Sequence, residues 1–437
     1  MYLQTDEQTI GDLGIFSNQN RNGIYDIYNN AHTRGGEKLL EEMFRAPLSD
    51  KTAINRRSGI IARMMGTGLR FPFEVSLFDV TEKYLSRADM NDPRQRNEIQ
   101  LSEKEIQNGV LAVISLFHLT NNFIEKAEVK GIAEYAEERD AIAELLSCAA
   151  FEPALNENPK AGKLSYSAVT AFDALFRLAE RQKIEKLLQH LYYLDVYTSV
   201  AETAASRNFV FPKAFDKGHC LLRVDGLYHP SLSNPVRNNI RMDEKMNLVF
   251  LTGANMAGKS TFLRSLSTAL YVAHMGFPVA ATAMEFSVLD GLYTTVNLPD
   301  NLGIGASHFY AEVLRVKKMA AELSTGKSLF ILFDELFRGT NVKDAHEATV
   351  AVAKGFAGKK NSLFIISSHI VEAGEELKQK DNIGFLFLPT RMNGHTPEYT
   401  YTLERGITDD RHGMIIIRNE GILDTLKNGK KQPVKSN

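Results

Sequence analysis

Apolar residues recur along this chain with two different periods, and the change between them falls near Gly218. Ahead of it the helical period dominates. Ile24 to Tyr28 and Leu39 to Phe44 read as two helices, separated by a break at Gly35-Gly36 and ended by Pro47. Ile54, Ile60, Ile61, Met64 and Met65 share one broad face of a third helix over 52–65. The same texture runs from 74 to 150, interrupted near Asp92-Pro93, with Glu137-Glu138-Arg139-Asp140 as a solvated face. Pro153, Pro159 and Gly162 mark a loop over 152–163. No Gly or Pro follows until Pro212, and Phe172, Leu175, Phe176 and Ala179 stand at i, i+3, i+4, i+7. If most of that stretch is one helix, about 35 residues make a rod of roughly 50 Å. Two helices joined by an unmarked turn satisfy the same pattern. The first 20 residues are polar and are expected to be frayed.

Beyond Gly218, apolar runs at 220–224, 248–251, 328–333, 363–366 and 385–388 alternate with helical patterns at 260–275, 308–323, 344–357 and 371–378. That alternation predicts a largely parallel sheet covered by helices. Some of the runs end in chemistry. Leu248 to Leu251 leads into Thr252-Gly253-Ala254-Asn255-Met256-Ala257-Gly258-Lys259-Ser260-Thr261, the spacing G-x-x-x-x-G-K-S of a phosphate-binding loop. Backbone N–H groups of such a loop face phosphate oxygens, Lys259 reaches the β- and γ-phosphates, and the Ser260 hydroxyl is the expected Mg²⁺ ligand. Leu329 to Phe333 ends in Asp334-Glu335. Downstream of a phosphate loop this makes Asp334 a second Mg²⁺ contact and Glu335 the candidate general base for an attacking water. Ser367-Ser368-His369 ends the next apolar run, so His369 is a candidate contact to the γ-phosphate or that water, although a lone His at a strand end is more often structural. Gly303-Ile-Gly305-Ala306-Ser307 opens another helix with Ser307 as its N-cap. A helix start away from the phosphate loop implies a separate phosphate contact, which two facing subunits would supply.

The length of 437 residues suits two or three domains. A net charge of −2 argues against a uniformly basic nucleic-acid coat but leaves room for a local basic patch. Cys148 and Cys220 lie far apart in no metal-like spacing, which fits a reducing, cytoplasmic setting. The start, Met1-Tyr-Leu-Gln-Thr-Asp-Glu-Gln, lacks the basic and apolar regions of a signal peptide, and no run of about 18 apolar residues occurs, so no membrane association is expected. The Lys427 to Lys435 tail is basic and reads as a solvated terminus. The helical half contains no recognisable catalytic constellation.

Together these motifs resemble the MutS mismatch-repair ATPases, a branch of the ABC ATPases. The resemblance rests on the Asn255-Met256 pair inside the phosphate loop, on Ser307-His-Phe309-Tyr-Ala-Glu312, on Asp334-Glu-Leu-Phe-Arg338-Gly339-Thr340-Asn341, and on His369 at the family's switch position. Tyr228-His229-Pro230 is similar to the family's approach to its ATPase domain, and Gly23 to Arg63 to its core segment. The likeness covers about 20–70 and 165–415, and 75–160 only in helical texture. It implies an α-helical core and lever domain over 1–217, an α/β P-loop NTPase domain of ABC-ATPase type over 218–425, and a disordered tail over 426–437. It implies ATP and Mg²⁺ bound by Gly253 to Thr261 with Asp334, a catalytic pair Glu335 and His369, and Ser307 reaching across a homodimer of ATPase domains. Double-stranded DNA is the implied partner.

Several departures qualify the implied function. Family members that read mismatches carry two further N-terminal domains, one with a Phe-x-Glu wedge, and these are expected to be missing. Phe123-Ile124-Glu125 matches the wedge letters by chance. Val236 stands where the family places its adenine-stacking aromatic. No nuclease domain is expected to follow, and the C-terminal dimerising segment is expected to be reduced. The leading expectation is an ATP-dependent DNA-binding protein of the mismatch-repair type. The alternative is a related ATPase without mismatch recognition of its own, acting on branched or recombining DNA or on a protein partner; a separate protein partner could supply mismatch recognition. A scaffold without turnover is disfavoured by intact Lys259, Ser260, Asp334, Glu335 and His369.

Overall fold

The computed structural model describes residues 1–18, 22–86, 101–158, 164–296, 308–393, 396–408 and 421–428. The chain divides into two compact units. One comprises Met1–Ile24, Pro47–Asn55 and Phe209–Asn437, the other Tyr25–Ala46 and Arg56–Asn208. This differs from a single cut at 217/218, because two N-terminal stretches belong with the second half of the chain.

The described part of the second unit is helical. It contains most of α2 (Ile24–Tyr28) and α4 (Lys51–Thr67), with α3 (Arg34–Arg45), α5 (Val75–Leu85), α6 (Glu103–Ile124), α7 (Ala127–Lys130), α8 (Ala136–Leu146), α9 (Glu152–Asn156), α10 (Tyr166–Ala174) and α11 (Arg181–Arg207); α1 (Glu7–Leu13) lies in the other unit. Local chemistry accounts for several boundaries. Ser102 and Glu105 form a reciprocal capping box that starts α6. Pro153 sits in the first turn of α9, where its missing N–H costs nothing, so 152–156 is helix and not the expected loop. The Gly35-Gly36 pair does not break a helix either but forms the first turn of α3. A Cβ at Gly35 would meet the Tyr192 ring at 2.3 Å, and one at Gly36 would meet Asp195 Oδ2 at 2.4 Å, so the glycines allow α3 to lie directly on α11.

That contact is organised by a fully buried carboxylate. Asp195 accepts hydrogen bonds from the backbone N–H groups of His32 (3.0 Å) and Thr33 (2.8 Å), from the Thr33 hydroxyl (2.7 Å), and pairs with His32 Nδ1 at 2.9 Å. The Thr33 hydroxyl in turn accepts the Gly36 N–H and caps α3. The Gly- and Pro-free stretch is neither one rod nor two plain helices. A π-helical turn at Leu175–Ala179 and a non-helical Glu180 (φ −118°, ψ 17°) separate α10 from a 27-residue α11. The Asp92-Pro93 interruption lies outside the described residues.

The other unit carries the sheets. β4 (Leu248–Gly253) is central in a six-stranded sheet, flanked in parallel by β8 (Leu363–Ser367) and β9 (Ile383–Leu388). β7 (Leu329–Phe333) and β6 (Gly291–Thr295) extend it in parallel, and β12 (Glu404–Arg405) closes the other edge antiparallel to β9. Every residue of β4, β6, β7 and β8 is buried, as continuous apolar runs in a sheet covered on both faces require. Helices α12 (Lys259–His274), α13 (His308–Ser324), α14 (Val342–Ala357) and α15 (Val371–Leu377) fall within two residues of the expected ranges. A second, four-stranded sheet, in the order β1 (Lys213–Phe215), β5 (Ala283–Ser287), β2 (Leu222–Leu227), β3 (Asn238–Met242), was not expected as a separate layer. A hairpin of β10 (Thr390–Asn393) and β11 (Thr396–Tyr399) and a short helix α16 (Ile422–Asn428) complete the described elements. No helix among the described residues is long and apolar enough to cross a membrane.

The expected frayed N-terminus is corrected. Asp6 caps α1 by accepting the Thr9 N–H at 3.0 Å, and Thr9, Asp12 and Leu13 are buried. Their partners lie some 280 residues away in sequence, where no local pattern reveals them.

Candidate active site

The carboxyl ends of β4, β7 and β8 bring three of the sequence motifs together. Parallel pairing puts these ends side by side at one edge of the sheet, the usual location for ligand chemistry in an open α/β layer. β4 delivers Gly253. Ala254 to Ala257 turn outward, and Gly258 is the N-cap of α12, whose first turn holds Lys259, Ser260 and Thr261. Gly258 has φ of 98°, and a Cβ there would stand 3.0 Å from Tyr401 Cδ1, so both backbone and space demand glycine. Met256 has φ of 68° and a largely exposed side chain.

Lys259 is buried at the base of the loop, and its ammonium donates to the carbonyls of Gly253 (2.8 Å) and Ala254 (3.1 Å). Burial lowers its pKa, and the charges of Glu335 and Asp334 act against that lowering. Ser260 Oγ donates to Asp334 Oδ2 at 2.5 Å. Ser367 Oγ donates to Asp334 Oδ1 at 2.5 Å and accepts the Glu335 N–H at 3.0 Å, so one hydroxyl from β8 orients both acids that follow β7. Sequence reading noted Ser367 only as part of a strand end. Its role depends on β7 and β8 being neighbours.

Glu335 itself has φ of 61°, a left-handed conformation uncommon for a side-chain-bearing residue. Its Oε1 lies 2.8 Å from His369 Nε2, and Arg338 donates to its Oε2 at 3.2 Å. The His369 hydrogen bond is the largest influence on this carboxyl. Burial opposes it, Arg338 and Lys259 reinforce it, and the pKa falls to about 2. Glu335 is therefore a carboxylate at any working pH. Ser307 lies outside the described residues, and α13 begins immediately after it at His308.

Beside the loop lies a hollow of about 330 Å³ that sequence reading missed. Tyr228, His229, Val236, Gly258, Phe262 and Tyr401 are among its lining residues. The Tyr401 ring stands against Gly258 of the loop; this residue follows the β10–β11 hairpin and has φ of 54°. Asn238 secures this backbone by donating to the Tyr401 carbonyl (2.9 Å) and accepting the Leu403 N–H (2.7 Å). The wedge-like letters at 123–125 have no such setting, since Phe123 and Ile124 are buried at the end of α6.

Residues 249–431, which contain the loop, both acids and His369, match the family model described as MutS domain V. The chain is a MutS-family member. The protein described as DNA mismatch repair protein MutS from Fusobacterium nucleatum subsp. nucleatum is 27% identical over 269 residues, 60% of this chain and 29% of that protein. The protein of the same description from Leuconostoc citreum is 33% identical over 196 residues, 44% and 22% respectively. That from Methanosarcina barkeri is 30% identical over 280 residues, 61% and 30%. This MutS-family chain therefore spans under a third of the length of these curated relatives.

Among the described residues no cluster of three or more His, Cys, Asp or Glu side chains is arranged to hold a metal ion. The Ser260–Asp334 pair nevertheless suits Mg²⁺, which commonly takes one or two protein oxygens and completes its shell with water and phosphate.

Proposed function

We propose that this chain is a Mg²⁺-dependent ATPase of the MutS type that couples nucleotide turnover to work on DNA. The convergence of the β4–α12 loop, Asp334, Glu335 and His369 at one sheet edge carries the reading. In it, the loop's N–H groups and the start of α12 hold the triphosphate, and Lys259 supplies the positive charge. Ser260 and Asp334 would hold Mg²⁺, which when bound neutralises charge on the β- and γ-phosphates. Glu335 stays ionised and orients the attacking water, with His369 fixing one carboxylate oxygen. The hollow under Tyr401 offers the base an apolar and aromatic seat where Val236 alone offers little.

Ser307 is assigned to the triphosphate of a second copy. Two composite sites then form in a homodimer of ATPase units, and ATP closure moves the helical unit. DNA of mismatch-repair substrates is the leading target by family membership. A second reading, in which the helical unit engages a protein partner, is favoured by charge. Within Tyr25–Ala46 and Arg56–Asn208, Asp and Glu outnumber Lys and Arg, which suits a phosphate backbone poorly.

The test is a titration of Mg·ATP against the parent chain and Lys259→Ala. The proposal expects measurable binding and phosphate release in the parent and loss of both in the variant. Equal affinity in the two proteins would remove the loop from the site.

A further inference from the structure

The N-terminal residues hold the shoulders of the segment that carries Ser307. Ahead of α1, Gln4 extends the six-stranded sheet at the β6 edge: its N–H donates to the Asp290 carbonyl (2.8 Å) and its carbonyl accepts the Leu292 N–H (2.9 Å). The Thr9 hydroxyl then accepts the Thr294 N–H at 3.0 Å. Asp12 Oδ2 accepts from the Thr294 hydroxyl (3.0 Å) and the Val296 N–H (2.8 Å). These contacts fix the end of β6. On the other side Asp6 receives both terminal nitrogens of Arg315 and, at 2.7 Å, the ammonium of Lys318, all from α13.

Arg315 links the two shoulders. It is buried and also donates to the Thr294 carbonyl (2.7 Å) and the Thr295 hydroxyl (3.1 Å). Its charge needs a carboxylate in that environment, and Asp6 is the one it contacts. Burial pushes the Asp6 carboxyl up, but hydrogen bonds from Arg315, Lys318 and Thr9 overcome this and leave it well below the usual carboxylate range. A helix of seven residues, far from Ser307 in sequence, thus grips β6 and α13 at once.

We propose that α1 is a brace that sets α13 relative to the end of β6 for nucleotide-driven dimerisation, with Asp6 and Asp12 as positioning residues. The inference rests on the composite-site reading above. It explains why residues 4–12 are built into the same unit as β6 and α13, and it separates two functions that ordinary destabilisation would damage together. α1 also packs against α12, but none of the brace hydrogen bonds reaches the β4–α12 loop, so loss of those bonds should spare nucleotide binding by the single chain and weaken what α13 contributes to the dimer.

Asp6→Asn is the perturbation of choice, because Asn caps a helix as well as Asp and only the ionic hold on Arg315 and Lys318 is removed. In the full chain we expect kcat for ATP hydrolysis and ATP-driven dimer affinity each to fall at least about tenfold. The Kd for Mg·ATP should stay within about twofold of the parent. Hydrogen exchange should accelerate in α13 and not in α12. An unchanged kcat with intact dimerisation overturns the brace, as does a Kd that worsens in step with kcat. Asp12→Asn carries the same readouts at the other shoulder and decides the matter if Asp6→Asn yields no folded protein. A parent chain that never dimerises with ATP would sink the composite site instead, while α13 exchange would still report on the brace.

Discussion

Replacing Glu335 by Gln isolates the chemical step. The carboxylate is held by His369 at 2.8 Å and Arg338 at 3.2 Å, which lowers its pKa from 4.5 to about 2. Gln keeps the shape and can still hydrogen-bond His369, but it cannot accept a proton from water. Lys259 and Ser260, which are assigned to phosphate and metal, contact Gly253, Ala254 and Asp334 through hydrogen bonds that do not involve Glu335. Mg·ATP affinity should therefore remain within about threefold of the parent, while turnover falls by about 10²–10⁴-fold, the range for loss of a general base. In barrier height this is about 2.7–5.4 kcal/mol. The depressed pKa adds a pH signature. A group with a lowered folded-state pKa loses its charge-linked stabilisation only as pH falls below its unfolded value and through the folded one. Glu335 should accordingly contribute no acid limb to the kcat profile between pH 5 and 8. Single-turnover phosphate release with a parallel nucleotide titration makes both measurements. Hydrolysis at the parent rate would show that another group activates the water, and a limb removed by Glu335→Gln near pH 6 would contradict the electrostatics.

Other consequences follow from the same geometry. Tyr401→Ala should weaken ATP binding about tenfold, roughly one aromatic stacking contact, whereas Tyr401→Phe should not; equal titrations for Ala and parent would show that the base sits elsewhere. Asp195→Ala strands the Thr33 and His32 N–H groups beneath α3 and should cost about 3–5 kcal/mol in urea unfolding followed by helical circular dichroism; a loss under 1 kcal/mol would refute that network's importance. For DNA, the described residues of the acidic helical unit, with Phe123 buried, offer no visible wedge, so G·T-mispaired and matched duplex should compete within about tenfold, under roughly 1.4 kcal/mol. A hundredfold mismatch preference in that competition would reveal a reader in the chain.

What could be read from the sequence was local. The loop from Gly253 to Thr261 is one contiguous motif, and α12, α13 and α14 show their apolar faces within single helical periods. The acids after β7 and His369 after β8 were legible because an apolar strand ends directly at each. What escaped depends on distant partners. Asp6, Thr9 and Asp12 look like a solvated polar start until Arg315, Thr294 and Val296 are placed beside them. Tyr401 reaches Gly258 from 143 positions later in the chain, after a hairpin whose Asn393-Gly394 signal says nothing of where the following segment packs. Ser367 became a site residue only through the β7–β8 register. The four-stranded sheet is hard to see in the sequence because its strands are short and β3, which alternates buried and exposed positions, starts on a buried polar residue, Asn238, so few apolar letters mark the alternation.

The central claim is that ATP binds at the β4–α12 loop and joins two copies of this chain. Sedimentation velocity of Glu335→Gln, with saturating Mg·ATP and again with Mg·ADP, tests it most directly. The account predicts a dimer with ATP and predominantly monomer with ADP, and it predicts that Lys259→Ala added to the same variant abolishes the ATP-dependent species. A monomer at saturating ATP would contradict the composite site and return Ser307 to the role of a plain helix cap.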